Sequence, residues 1–370
     1  MKKYKVLMLL STYGVASGVN TFAMNYLRGF NHEDVEVDFA VYFERESPYI
    51  AEIKSYGGKT YLLPPVKNIF SHVSECRRIL HDGKYDVIHD NSLVLTIPIM
   101  IAAKLEKVPV RILHSHATEL GETRGKKIRN KSLLPFLKMS ATDYLACSTV
   151  AGKAMFGTMP FTIVPNVVQA NSLVFNRFKR DEKRNIMDVS CKKVIATVGR
   201  AAMQKNPFFA LDVIKKLSEI EDNIVFWWIG NGPLEKEIKE YANRIGVGEH
   251  FVFLGKRSDV VELYQAMDVF FLPSLFEGLP LTGVEAQAMG LPIVLSDTVT
   301  DEMVYTDLVD YVGLNASTEV WAKHLKKALA RKVNRGSYSD KLKQSIFSDV
   351  GCGERLMNLY AEMIHKNGGK

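Results

Sequence analysis

An α/β architecture of two Rossmann-like domains, each built on a doubly wound parallel sheet and the two facing a cleft, is what this sequence predicts. Three observations predict it. The chain has 370 residues, more than one core needs and about right for two domains of roughly 100–200 residues each. Short apolar runs alternate with longer helical patterns, which implies βαβ units and parallel strands. These runs fall into two series, parted by the charged stretch from Asn176 to Lys193 that contains FKRDEKRN and reads as a linker. The expected division is a first domain over 1–175, a second over 190–345 and a terminal helix over 346–370.

The first series runs KVLMLL, VEVDFAVYF, KTYLLP, DVIHD, VRILHSH, YLACS and FTIVPN. Two lysines ahead of KVLMLL imitate an export signal, but the apolar run is about six residues where such signals need about 7–15. A buried first strand is the better reading. The run around IPIMIAAKL is broken by Pro98 and Lys104, short of the roughly 18 residues that span a bilayer, so the chain is expected to be cytosolic. The second series runs KVIATVGR, NIVFWWIGNG, FVFLGK, VFFLPS and PIVLSD. After Ala316 the pattern turns helical, and Leu356, Leu359, Tyr360 and Met363 recur at helical spacing.

Composition narrows the chemistry. A chain that is 47% hydrophobic and 24% charged is neither disordered nor fibrous. Cys76, Cys147, Cys191 and Cys352 have no C-x-x-C spacing and no histidines at metal-ligand intervals, so they read as reduced and structural. The net charge of +7 favours acidic partners, whether nucleotide diphosphate, anionic lipid or nucleic acid.

The segment from Phe276 to Pro292, FEGLPLTGVEAQAMGLP, carries Glu277 and Glu285. Pro280 fits the first turn of a helix that Gly290 ends. Glu277 then lies in a loop at a strand's carboxyl end, and Glu285 about one turn inside the helix on the face of Leu281. Ligands of open α/β sheets bind at that edge, and helix amino termini attract phosphate. One carboxylate can accept two ribose hydroxyls while the amides of Leu281 and Thr282 take phosphate; a capped helix with solvated glutamates is the plainer alternative. In VGRAAMQKNP, Arg200 follows a strand and Lys205 comes soon after. Two such cations can offset charge growing on a departing diphosphate, or they are surface cations.

Weaker signals lie elsewhere. The loop STYGVASGVN sets Gly14 and Gly18 between a strand and a helix, where glycine permits positive φ and close approach to a ligand. It lacks the G-x-G-x-x-G order of dinucleotide folds. RILHSHATE turns His114 and His116 to one side of a strand, with no third metal ligand nearby. Gly230 and Gly232 flank a strand end, and Gly255 to Arg257 follow another. In TRGKKIRNKSLLPFLK, Arg124, Lys126, Lys127, Arg129 and Lys131 precede Leu133, Leu134, Phe136 and Leu137, a pattern that suits an anionic membrane surface and equally a solvated helix face.

The Glu277–Glu285 segment resembles the Glu-x7-Glu motif of the retaining glycosyltransferases of family 4, also called glycosyl transferases group 1, which have the GT-B fold. Its variant, PSLFEGLP followed by VEAQAMGLP, resembles that of the subgroup assembling bacterial capsular and exopolysaccharides. The resemblance covers nearly the whole chain and implies that the terminal helix crosses back to the first, acceptor-binding domain. Carried over, Glu277 contacts the donor hexose, with Gly278 and Leu279 beside it, and Glu285 the ribose diol. Arg200 and Lys205 form a phosphate clamp, joined by the amides of Leu281 and Thr282. Arg257 sits by the nucleobase. Gly18 is a phosphate-side contact in a loop where Ser17 replaces a family glycine. His114 aligns with the active-site histidine that contacts the donor sugar across the cleft; His116 is the alternative.

What the resemblance implies is a retaining, metal-independent transfer of a hexose from a nucleotide-diphosphate sugar, by expectation a UDP-sugar. The acceptor would be a sugar, by expectation a polyprenyl-diphosphate-linked intermediate of a surface polysaccharide. No cofactor and no metal ion is expected beyond the donor substrate; the partners are donor, acceptor and an anionic membrane surface, not nucleic acid. A dehydrogenase needs the glycine fingerprint and an acidic residue about 20 positions on. A non-catalytic periplasmic sugar-binding protein needs an export signal. A sugar-nucleotide epimerase on the same fold is the nearest enzymatic alternative.

Overall fold

The computed structural model describes residues 3–14, 18–43, 46–116, 121 and 123–368. It divides into two units, one of Met1–Val167 with Asp349–Lys370 and one of Val168–Ser348.

In the first unit, the strands are β1 (Tyr4–Leu10), β2 (Val35–Val41), β3 (Thr60–Leu62), β4 (Val87–Asp90), β5 (Val110–Ser115), β6 (Asp143–Ala146) and β7 (Thr162–Ile163). They form one parallel sheet in the order β3-β2-β1-β4-β5-β6-β7. Helices on both faces explain the uninterrupted apolar run of β1: Val6, Met8 and Leu10 join a core with Phe22, while Leu7 and Leu9 join another with Ile79 and Ile99. The terminal helix, Cys352–Lys366, belongs to this unit, with Leu356, Tyr360 and Met363 buried in the Phe22 core. It crosses helix Gly18–Gly29 where glycine faces glycine. A Cβ on Gly353 would stand 1.9 Å from the carbonyl oxygen of Gly29, so only the bare backbones fit.

The second unit holds β8 (Lys193–Val198), β9 (Ile224–Ile229), β10 (Phe251–Gly255), β11 (Val269–Leu272), β12 (Ile293–Ser296) and β13 (Val309–Val312). Its parallel order is β10-β9-β8-β11-β12-β13. Strand β13 escaped the sequence reading because VDYV is a short edge strand of which only Val312 is buried.

The charged stretch expected to be a linker is instead part of the second unit. Asn176 caps helix Arg177–Ile186 by accepting from the Lys179 amide. Its cations then dock on the carboxyl end of helix Val260–Ala266: Arg180 donates to the Gln265 and Met267 carbonyls at 2.9 and 2.7 Å and to Asp268 at 2.5 Å. Arg184 reaches the Ala266 carbonyl at 2.7 Å and Asp268 at 3.1 Å. A helix carboxyl end, with its unpaired carbonyls and negative dipole, is what such a cationic helix can bind. The unit breaks consequently fall at Val167 and Asp349, not at 175 and 346.

Candidate functional site

The sheet order of the second unit reverses between β8 and β11, and open parallel sheets take their ligands outside the carboxyl ends of the strands at such a point. Three glycines keep that end free of side chains. Gly230 has φ +129°, and its Cβ would stand 2.2 Å from the Gly199 carbonyl oxygen; a Cβ on Gly232 would meet that of Ala201 at 2.3 Å. The glycines after β9 thus let its loop close onto the loop after β8, a requirement stricter than a tight turn.

Lys205 and Glu277, which the sequence nominated separately, are brought together here. The Lys205 ammonium lies 2.5 Å from Glu277 Oε1, with 11% and 9% of the two side chains exposed. Ser274 Oγ donates to the same oxygen at 2.8 Å. Among the described residues Oε2 receives only a long contact, 3.4 Å, from the Gln204 amide. Gln204 also ties the two loops: its carbonyl oxygen accepts from Leu275 N at 2.8 Å and its side chain donates to Phe276 O at 3.1 Å. Arg200 is exposed after β8 and pairs with no carboxylate among the described residues.

Pro280, Leu281 and Thr282 open the helix Leu281–Ala288, and Gly290, at φ +64°, follows its end. The amides of Leu281 and Thr282 lie in the first turn, which lacks intrahelical acceptors. Gly278 and Leu279 are half-buried in the approach to it. One turn in, Glu285 accepts from the Tyr264 hydroxyl at 2.8 Å. Burial pushes the half-buried carboxyl up from its ordinary 4.5 to about 7, partly offset by that hydroxyl. Arg257, expected by the nucleobase, forms a bidentate pair with Asp259 at 2.7 Å for each bond, and Asp259 also takes Lys183 at 2.6 Å.

In the first unit, Gly18 is the first residue of its helix and a Cβ there would meet nothing within 4 Å, so its described surroundings do not require glycine. Asn20, missed in the sequence, holds the preceding loop by donating to the Thr12 and Gly14 carbonyls at 2.8 Å each. Ser17, the residue in place of a family glycine, lies outside the described residues.

The two candidate histidines lie in different surroundings. His114 is fully buried: its Nδ1 pairs with His89 Nε2 at 2.9 Å, and His89 Nδ1 with the Tyr360 hydroxyl of the terminal helix at 2.6 Å. Burial, with neighbouring imidazoles, pushes His89 down to about 3 and His114 well below its ordinary value. His116, just past β5, is only partly buried. It stacks on His114, ring centres 4.0 Å apart, and its Nε2 bonds Asn91 Oδ1 at 2.8 Å. His89 and Asn91 carried a signal in DVIHDN, polar residues closing an apolar strand; Tyr264 and Tyr360 carried none, because their partners lie far off in sequence.

Comparison with known proteins agrees with this architecture. The model of glycosyl transferases group 1 matches residues 179–345, and that of glycosyltransferase family 4 matches residues 16–170. EpsF of Bacillus subtilis, named as a glycosyltransferase, is 32% identical over 326 residues, 85% of either chain. The UDP-Gal:alpha-D-GlcNAc-diphosphoundecaprenol alpha-1,3-galactosyltransferase of Escherichia coli is 31% identical over 233 residues, 60% of either chain. Among solved structures, Anabaena HepE in complex with UDP has a TM-score of 0.77 at 15% identity, covering 98% of this chain and 100% of that one, a likeness of fold.

Proposed function

The chain belongs to the glycosyl transferases of group 1, family 4, with the GT-B fold, and from that premise we propose that its second unit holds a UDP-hexose for retaining, metal-independent transfer to a lipid-linked sugar acceptor in surface-polysaccharide assembly. The observation that carries the proposal is the buried Lys205–Glu277 pair at the switch point of the second sheet. In this reading Lys205 and Arg200 face the diphosphate, the amides of Leu281 and Thr282 take its oxygens, Glu277 Oε2 accepts from hexose hydroxyls, and Glu285 accepts from the ribose diol. The acceptor hydroxyl attacks the anomeric carbon as its bond to the diphosphate oxygen breaks. The electron pair leaves with UDP, the clamp offsets the new charge, and the acceptor proton passes to the departing phosphate.

The donor class is supported by HepE, solved with UDP and with UDP-glucose. The acceptor class is supported by the Escherichia coli relative, whose name gives a diphosphoundecaprenol-linked sugar. Metal independence is supported by the engagement of the two glutamates, one with Lys205 and the other with Tyr264; hard divalent cations ask for several free oxygen ligands at once. Membrane contact is part of the proposal, carried by helix Arg124–Ser140, where Ile128, Phe136 and Met139 are exposed among the cations, although Leu134 and Leu137 face the core. The test is to incubate the protein with UDP-, GDP- and ADP-hexoses and a polyprenyl-diphosphate-linked sugar in EDTA. Nucleoside diphosphate release with extension of the lipid supports the reading. Activity only after manganese or magnesium is restored removes its metal-independent part.

A further inference from the structure

The Lys205–Glu277 pair joins two loops of the second unit, and each loop is braced in its own way. The turn that carries Glu277 is backed by the loop after β12: the Ser274 carbonyl oxygen accepts from Ser296 Oγ at 2.5 Å and from Thr298 Oγ1 at 2.9 Å. Glu277 itself makes a parallel bridge to Val299. Its other side rests on the loop after β8. There Met203–Lys205 is one tight turn, closed by bonds from Lys205 N to the Ala202 carbonyl at 3.0 Å and from Asn206 N to the Met203 carbonyl at 2.9 Å. Asn206, at φ +55°, then leads the chain into helix Pro207–Ser218, in a left-handed conformation that asparagine tolerates. Gln204 is the middle residue of this braced turn.

The two loops meet in register. The Gln204 carbonyl oxygen accepts from Leu275 N, its side chain donates to the Phe276 carbonyl, and the next residue, Lys205, pairs with Glu277. The Phe276 oxygen only accepts, so the atom of the Gln204 amide that faces it is the nitrogen. That nitrogen also lies 3.4 Å from Glu277 Oε2, too far to hold the carboxylate by itself. The stronger anchor is the 3.1 Å bond to the Phe276 carbonyl. This carbonyl belongs to the planar peptide that enters Glu277, so fixing it fixes the point from which the Glu277 side chain departs. Resting on the role proposed above for Glu277 toward the hexose, we infer that Gln204 is a positioning residue: through the Phe276 carbonyl it sets where the Glu277 carboxylate stands and so how the hexose of the donor is held. The diphosphate is gripped by other groups, and its hold does not depend on the Gln204 side chain.

The test separates the loop from the reaction. Hydrogen exchange with no ligand added compares the wild type with Gln204→Met, which keeps the length of the side chain and loses its donor. Amides of residues 275–278 are expected to exchange about tenfold faster in the variant, with the rest of the second unit unaltered. Unchanged exchange in that segment, or faster exchange throughout the unit, overturns the positioning role. Binding and turnover are then measured with UDP and with whichever of UDP-glucose, UDP-galactose and UDP-N-acetylglucosamine the wild type turns over fastest. Gln204→Met lowers kcat by about ten- to a hundredfold, as a small misplacement near the reacting centre does. It weakens the UDP-sugar by about fivefold and leaves UDP affinity within about twofold. Gln204→Lys, which keeps a donor, recovers part of the rate, whereas Gln204→Glu, which turns a carboxylate toward a carbonyl and a second carboxylate, falls below Gln204→Met. A wild-type rate in Gln204→Met, or an equal loss of affinity for UDP and UDP-sugar, overturns the role at the hexose. Failure of the transferase reading has a different signature, no UDP-sugar turnover by the wild type, and the exchange rates decide without it whether Gln204 holds the loop.

Discussion

The Glu285 carboxyl sits between two opposing influences, burial that favours its neutral form and a Tyr264 hydroxyl that favours the anion. Burial wins, so the folded protein holds this proton more tightly than the unfolded chain does. Stability from this group is therefore fully present below about 4.5 and is lost as pH rises through about 7. Glu285→Gln should raise Tm at pH 8 more than at pH 5; equal shifts at both would contradict the dry environment assigned to Glu285. In the proposed reading ribose hydroxyls would stabilise the anion, so nucleotide binding near pH 7 should release a proton, seen by titration calorimetry as a binding heat that depends on the buffer's ionisation enthalpy. The buried pair makes another claim. Lys205→Met leaves Glu277 uncompensated and should cost about 3 kcal/mol of stability, while Lys205→Met with Glu277→Gln recovers most of it. Both variants should lose about two to three orders of magnitude in kcat. A double variant as unstable as the single one would show that the pair carries little of the charge balance. The sequence nominated Lys205, Glu277 and Glu285 because strand ends and helix starts are legible from local pattern. It named His114 ahead of His116 on the family resemblance, and the different burial of the two was not legible because periodicity gives the face of a strand but not the depth of each position.

At the scale of elements, strands and helices were legible wherever burial on both faces left an unbroken apolar run, as in KVLMLL or NIVFWW. Helix Arg177–Ile186 was not, since its partners are carbonyls and a carboxylate some eighty residues away, and a cationic run looks the same whether it meets water or a helix end. The terminal helix was legible as a helix, but its docking surface depends on Gly29 and Gly353, whose contact no local pattern encodes. Gly353→Val should therefore lower Tm by roughly 5 °C or more, through overpacking against a backbone that cannot yield. Gly18→Ala, where a Cβ meets nothing, should leave it within about 2 °C. Scanning calorimetry of both checks this, and an unchanged Tm for Gly353→Val would contradict the close crossing.

For the molecule as a whole, two series of apolar runs announced two sheets, and family membership follows from matches covering most of the chain. Among the described residues no helix is long and apolar enough to cross a membrane. If helix Arg124–Ser140 makes the proposed membrane contact, the protein should sediment with vesicles containing anionic phospholipid at low salt and release from them at about 0.5 M salt, where screening is strong. Phe136→Glu should weaken it, and equal binding to neutral vesicles would remove the electrostatic part. The central claim, that the second unit binds a nucleotide-sugar diphosphate through Arg200, Lys205 and the start of helix Leu281–Ala288, has one most direct measurement: the affinity for UDP and UDP-glucose of wild type, Arg200→Ala and Lys205→Ala in EDTA, by calorimetry. The account predicts metal-free binding by the wild type that weakens by about tenfold or more when either cation is removed. Binding of wild-type strength in both variants would contradict it.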